Sequence, residues 1–247
     1  MNQAATRNDP GDMQRVPPSM RQAVRSFAEL VRELDRSLVR SLTLTGAILT
    51  DSFDADGRPI ASVLVLERVD LDLLRRLAER GPSLGKLRIA APLILTVEHL
   101  RTSLDTFPLE LIEIQQLHLT LFGEDPFADL VFEASHVRLQ CERELKRFLI
   151  GLRQGLLVSA GRESHLRSVE REVAEGLLRT LRGMLWLKGQ QQFQTDESAL
   201  VGVESVTDRP LRGLRAGLGR NAHTGTFTAL DELYHDVEAL RSAVENW

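Results

Sequence analysis

The chain of 247 residues is long enough for one large domain or two small ones, and its 43% hydrophobic and 27% charged residues are typical of a soluble globular protein. The formal net charge of −4 gives no broad positive field, which argues against nucleic acid as a partner. The one cysteine, Cys141, excludes an intrachain disulfide and fits a reducing compartment.

Neither a signal peptide nor a membrane-spanning segment is recognisable in the sequence. The N-terminus has no apolar segment behind it, and no apolar run approaches the roughly 18 residues of a membrane span. We therefore expect a cytoplasmic protein without a membrane partner. The charged, helix-forming residues around Cys141 favour a buried packing residue over a reactive thiol.

A polar segment and a helix come first along the chain. Residues 1–18 are polar and rich in proline, which predicts a disordered lead-in. Apolar residues then recur at steps of three and four over 19–36, which predicts an amphipathic helix.

A strand, a glycine turn and a second strand follow. The first strand is predicted over 42–49 and contains Gly46 and Ala47 at its end. The glycine, proline and aspartates of 51–59 predict a turn. Residues 63–66 are continuously apolar, as expected of a strand that is covered on both faces.

The next segments alternate between helix and strand. We predict a helix over 71–80, a strand over 91–96 and a helix over 97–104 whose first turn Thr96 caps. Apolar residues alternate in part over 109–121, which predicts the last strand.

Only helices are predicted after residue 133. Their apolar spacing places long helices at 136–157 and 163–187, shorter helical pieces within 196–218 and a final helix at 228–244. This switch predicts an α+β protein with a mixed α/β domain over 19–130 and an all-α helical bundle over 131–247.

Four short segments occur in an order that resembles a known superfamily. They read VLERVD (65–70), AAPLILT (90–96), LFGEDP (121–126) and LQCEREL (139–145). Together with the strand, glycine turn and strand, they resemble the nucleotidyltransferase superfamily that includes kanamycin nucleotidyltransferase and DNA polymerase β. Within this superfamily, the chain most resembles bacterial nucleotidyltransferase-domain proteins. The resemblance implies a mixed sheet with flanking helices followed by a helical bundle.

The resemblance also implies which residues bind a nucleotide. In the family, a glycine-serine turn holds the phosphates, and two aspartates on the second strand bind paired Mg²⁺ ions. Carried over to this chain, Gly46 is retained, Ala47 replaces the serine, and Pro59 and Ala61 replace the aspartates. A nucleotide-binding turn at Gly46 and Ala47, with no metal site and no cofactor, is therefore expected.

A different set of acidic residues would allow the protein to be an active enzyme. Asp54 and Asp56 in the turn, with Glu113 as a third carboxylate, would be the Mg²⁺ ligands of an active enzyme, although Asp-Ala-Asp-Gly is also ordinary turn chemistry. The six histidines show no paired ligand spacing. His118, close to Glu113 in sequence, is the one histidine to inspect.

A basic segment near the C-terminus offers a second place for phosphate. Arg212, Arg215 and Arg220 lie among glycines, so that guanidinium groups and backbone amides would be able to approach a phosphate. The same composition also suits a short helix and a connection between bundle helices.

Three functions follow from these observations. The first is a catalytically degenerate nucleotidyltransferase-fold protein that binds a nucleotide or a partner protein. The second is an active Mg²⁺-dependent enzyme that transfers a nucleoside monophosphate to a small molecule or a protein. The third is a structural subunit of a larger assembly, including a homo-oligomer.

Overall fold

A computed structural model describes residues 10–50, 53, 59–190, 195–219 and 224–247. The chain forms two compact units. The first contains the chain up to Leu104 together with Ile114–Val131, and the second contains Asp105–Glu113 together with Phe132–Trp247. Within the described residues, no helix is both long and apolar enough to cross a membrane.

The first unit is built on one four-stranded sheet. Its strands are β1 (Val39–Thr45), β2 (Ala61–Leu66), β3 (Leu93–Thr96) and β4 (His118–Gly123). Their order is β3-β2-β1-β4, with β1 antiparallel to both β2 and β4 and with β2 parallel to β3. β1 is therefore a central strand that is paired along both edges.

Helices of the same unit flank this sheet. They are α1 (Arg21–Arg32), α2 (Leu71–Glu79), α3 (Gly81–Lys86) and α4 (Val97–Thr102). Leu42 and Leu64 lie directly opposite each other in β1 and β2, and both belong to a core that also contains Phe27 of α1 and Leu73 of α2. All four side chains are fully buried, and burial of each stabilises the fold by about 1.5–3 kcal/mol.

Polar side chains begin two of these helices, and the cap at Thr96 is one that the sequence predicts. The Asp70 carboxylate accepts the backbone N–H of Leu73 at 2.9 Å at the start of α2. Thr96 Oγ1 accepts the backbone N–H of His99 at 3.0 Å at the start of α4. Each cap satisfies an amide that has no partner inside its own helix.

Two predictions for the N-terminal part need correction. Residues 1–18 are ordered in part, because Pro10–Arg15 forms a 3₁₀ helix and Val16 is fully buried in the core; residues 1–9 lie outside the described residues. The first strand ends at Thr45 rather than at residue 49, since Gly46 has a φ of +71° and Gly46–Leu49 forms a 3₁₀ turn.

The predicted strand over 109–121 is wrong in its first half. Residues Pro108–Gln116 form helix α5, and the strand begins only at His118. Leu109 and Ile112, three residues apart, are both buried, which fits a helix face better than a strand. Pro108 at the first helical position costs no hydrogen bond, and Gln140 Oε1 accepts the Leu109 N–H at 2.9 Å.

The second unit consists mainly of helices. They are α6 (Ala134–Ser159), α7 (Glu163–Leu187), α8 (Asp196–Thr207), α9 (Arg212–Leu218) and α10 (Phe227–Glu245). Leu145 and Leu152 of α6 and Leu177 and Leu181 of α7 are fully buried. The predicted α+β fold, a mixed sheet with flanking helices and a helical C-terminal part, is confirmed.

Two carboxyl groups are buried among these helices. Glu170 Oε2 accepts the backbone N–H of Gly225 at 2.8 Å, while Glu170 Oε1 has no hydrogen-bond partner. Asp236 Oδ2 accepts the backbone N–H of Leu214 at 3.0 Å. Burial raises the pKa of both groups, although these backbone hydrogen bonds oppose the shift.

This raised pKa predicts how stability changes with pH. The folded state holds a proton on Glu170 where the unfolded chain has lost it, so Glu170 stabilises the fold less as pH rises above the ordinary value of 4.5. Glu170→Gln keeps an acceptor for Gly225 and cannot ionise. We expect its free energy of unfolding, relative to wild type, to increase as the pH rises from 4 to 7 in urea titrations.

The exposed residue Glu172, two positions away on α7, provides the control. Glu172→Gln should leave the difference from wild type independent of pH. A Glu170→Gln profile that runs parallel to wild type would show that Glu170 is ionised in the folded protein.

Candidate functional site

The turn after β1 is held by its own hydrogen bonds. The backbone N–H of Gly46 donates to the Leu117 carbonyl at 3.1 Å, and Thr50 donates to the Ala47 carbonyl through its N–H at 3.0 Å and its hydroxyl at 2.8 Å. Gly46 is half-buried and Ala47 is exposed. The turn is therefore well defined and open to solvent, but the Gly46 amide is already engaged.

One row of residues crosses the sheet beside this turn. Thr45 of β1 lies opposite Ala61 of β2 on one side and opposite His118 of β4 on the other. Directly paired residues point to the same face of a sheet, so their side chains share one surface. Pro59 and Ala61 are exposed at the start of β2 and present only hydrocarbon to it.

None of the four described strands contains a carboxylate. Their sequences are VRSLTLT, ASVLVL, LILT and HLTLFG. In the part of the chain that the structure describes, no group of three or more His, Cys, Asp or Glu side chains is placed to hold a metal ion. Mg²⁺ takes carboxylate and other oxygen ligands, and the side chains of this sheet do not fit it.

His118 is fixed by two acceptors. Its Nδ1 lies 2.9 Å from the Gln115 carbonyl oxygen, and its Nε2 lies 2.9 Å from Asp125 Oδ2. Both partners are acceptors, and together they fix the orientation of the ring. The partner of His118 is therefore Asp125, not the nearby Glu113.

Asp125 is held in its ionised form by the same contacts. Burial acts to raise the pKa of Asp125, but the hydrogen bond with His118 and the backbone N–H of Phe127, at 3.0 Å, outweigh it and lower the pKa. This pair joins the start of β4 to the loop that follows the strand.

Glu113 lies on α5 and not on a strand. Its Oε2 accepts Arg179 Nε at 2.9 Å, and its Oε1 accepts an Arg182 guanidinium N–H at 2.9 Å. Both carboxylate oxygens are thus occupied by arginines of α7. Asp54 and Asp56, the other two acids of the active alternative, lie outside the described residues.

The arginines of the basic segment have different surroundings. Arg215 donates to Glu204 and Glu197, each at 2.6 Å, and these hydrogen bonds raise its pKa. Arg212 is exposed, and Arg220 lies outside the described residues. Glu197 and Glu204 precede Arg215 by 18 and 11 residues in the sequence. No local sequence pattern predicts ion pairs across such separations.

The glycines of this segment permit close helix packing. A Cβ atom at Gly213 would lie 2.2 Å from the backbone nitrogen of Leu233, and one at Gly217 would lie 2.8 Å from Ala174 Cβ. Both glycines are buried. Their role in the structure is to bring α9 against α10 and α7.

This packing gives a direct test of the role of Gly213. We expect Gly213→Ala to lower the free energy of unfolding by about 3 kcal/mol, because the added methyl group meets backbone atoms that cannot move aside. Gly151→Ala on α6 is the matched control, since nothing lies within 4 Å of its Cβ position. It should raise stability by up to about 1 kcal/mol through helix propensity. Equal effects of the two substitutions in thermal or urea unfolding would contradict the packing role.

Comparison with known proteins supports the fold. No known family profile and no curated protein sequence matches the chain. Among solved structures, the spectinomycin adenyltransferase of Enterococcus faecialis, solved with ATP and spectinomycin, is similar over 91% of this chain and 98% of its own, with a TM-score of 0.54 and 10% sequence identity. This likeness shows a nucleotidyltransferase-like fold.

Proposed function

We propose that this protein is a catalytically degenerate member of the nucleotidyltransferase fold that acts as a nucleotide- or partner-binding module. The observation that carries the proposal is the absence of Asp and Glu from all four described strands, including the start of β2, where Pro59 and Ala61 stand. Nucleotidyl transfer depends on divalent metals that align the attacking oxygen and offset charge on the phosphoryl group.

A nucleotide is the ligand we favour for the open turn. The similar adenyltransferase structure contains ATP, and the turn of Gly46 and Ala47 is accessible to solvent here. Since the Gly46 amide already binds Leu117, a phosphate would be met by other groups. Arg212 and Arg220 stay candidates for a separate phosphate contact in the basic segment, whereas Arg215 would first have to leave its two glutamates.

The active alternative has less support from the described residues. It requires Glu113 to give up Arg179 and Arg182 before binding Mg²⁺, and uncovering a paired carboxylate is costly. It predicts Mg²⁺-dependent release of pyrophosphate from a nucleoside triphosphate when an acceptor is supplied.

The structural alternative rests on one exposed face of α6. Leu139, Ile150 and Leu157 are exposed, and their spacing of 11 and 7 residues places them on one side of the helix. A protein partner or a second copy of the chain would be able to cover them.

A thermal-shift titration with ATP and GTP tests the proposal. We expect the melting temperature to rise with nucleotide concentration, because a ligand that binds only the folded state stabilises it by about 2.7 kcal/mol at a hundredfold excess over Kd. Since the proposed site needs no metal, the rise should be the same with Mg²⁺ and with EDTA. A shift that requires Mg²⁺ would support the active enzyme. If no nucleotide shifts the melting temperature, only the partner-binding version of the proposal remains.

A matched pair of variants locates the binding site. Gly46 and Gly189 have φ values of +71° and +72°, and nothing lies within 4 Å of either Cβ position. Asparagine tolerates this conformation, so Gly46→Asn and Gly189→Asn add the same bulk at little strain. We expect Gly46→Asn alone to abolish the nucleotide-dependent shift. Retention of the full shift in Gly46→Asn would exclude the turn as the site.

A further inference from the structure

The first unit contains a cavity of about 300 Å³ between the end of α1 and α2. Six residues line it: Leu30, Glu33, Leu34, Arg76, Glu79 and Arg80. Its volume lies at the lower end of the range for small-molecule sites, which is about 300–1,000 Å³. The cavity shares no residue with the Gly46 turn, and its size suits a molecule of amino-acid dimensions rather than a nucleotide.

One side of the cavity is apolar. Leu30 and Leu34 are four residues apart at the end of α1, and both are partly buried against the core of the first unit. The remaining exposed part of these two side chains offers a surface for a short aliphatic group.

The rest of the lining is charged, and the Arg76 charge also acts on the nearby Asp35 carboxylate. Arg76 and Arg80 are four residues apart on α2 and its C-cap, and thus lie on one side of the helix. Glu33 is the C-cap of α1, and Glu79 adjoins Arg80. In the described part of the chain, none of these four exposed side chains makes an ion pair or a hydrogen bond. The two arginines and two glutamates give the lining no net charge.

These charges come from both helices, with Glu33 from the end of α1 and Arg76, Glu79 and Arg80 from the end of α2. Arginine binds carboxylates through parallel N–H donors, so Arg76 and Arg80 form a carboxylate-binding side. Glu33 stands at the C-terminus of α1, where the last carbonyls of a 12-residue helix add partial negative charge. That end of the cavity therefore suits an ammonium group.

We propose that this cavity binds a free aliphatic α-amino acid. Arg76 and Arg80 hold its carboxylate, Glu33 its ammonium group, and Leu30 and Leu34 its side chain. The proposal does not depend on nucleotide binding at the Gly46 turn.

Ligand-observed NMR and calorimetry with the full chain test the chemistry. The probes are L-leucine, 4-methylpentanoate, which lacks the ammonium group, and 3-methylbutylamine, which lacks the carboxylate. We expect saturable binding of leucine and at least about tenfold weaker binding of each analogue, since each leaves one charged side of the cavity without a partner. Absence of saturable leucine binding up to about 10 mM, or equal binding of the analogues, would overturn the proposal.

Variants on one helix test the location. The double variant Arg76→Ala/Arg80→Ala should reduce leucine affinity at least about tenfold. Arg75→Ala is the matched control, because Arg75 is exposed, pairs with Asp72 at 3.3 Å and does not line the cavity. All three positions are exposed, so the variants should fold, which circular dichroism verifies. Unchanged leucine binding in the double variant, or an equal loss in Arg75→Ala, would contradict this assignment.

Discussion

The pairing of β1 along both of its edges is the constraint on which the candidate site depends. Because β2 and β4 are both antiparallel to β1, Thr45 is fixed between Ala61 and His118, and the chain must leave the sheet through Gly46. The left-handed Gly46 and its bond to Leu117 then set the direction of the turn. A ligand at this edge would meet a methyl group, a hydroxyl group and an imidazole ring instead of paired carboxylates.

Fold and chemistry depend on different numbers of residues. The sheet and its helices rest on many buried apolar positions, such as Leu42, Leu64 and Phe27, and any one of them tolerates replacement by another apolar residue. A two-metal site rests on a few carboxylates, none of which has a substitute. A chain can thus keep the nucleotidyltransferase-like fold at 10% identity to a solved adenyltransferase while its strands contain none of those acids.

Local periodicity predicted most elements, because each helix or strand buries a face whose spacing is visible in the sequence. The prediction for α7 matches its observed bounds, Glu163–Leu187, and the cap at Thr96 forms as expected. The failure at α5 has a physical cause. In the sequence, Leu109, Leu111 and Ile112 are apolar and Glu110 and Glu113 are charged, so the pattern fits a strand and a helix about equally well until tertiary packing selects one.

The surroundings of the candidate residues were harder to predict. The binding of Glu113 by Arg179 and Arg182 joins residues more than 60 positions apart, which only the fold brings together. Likewise, the glycines near Arg212 suggested an approach to phosphate, yet Gly213 and Gly217 lie against neighbouring helices. Sequence shows that a glycine lacks a side chain, but only packing shows which group approaches it.

A titration with Mn²⁺ followed by electron paramagnetic resonance tests the proposed loss of the metal site most directly, since Mn²⁺ binds the oxygen ligands that Mg²⁺ prefers. Wild type is compared with the double variant Pro59→Asp/Ala61→Asp, which places an acid at each family position on exposed residues. The account predicts no saturable binding to wild type and at least about tenfold tighter binding to the double variant. Wild-type protein that binds Mn²⁺ as tightly as the double variant would contradict it.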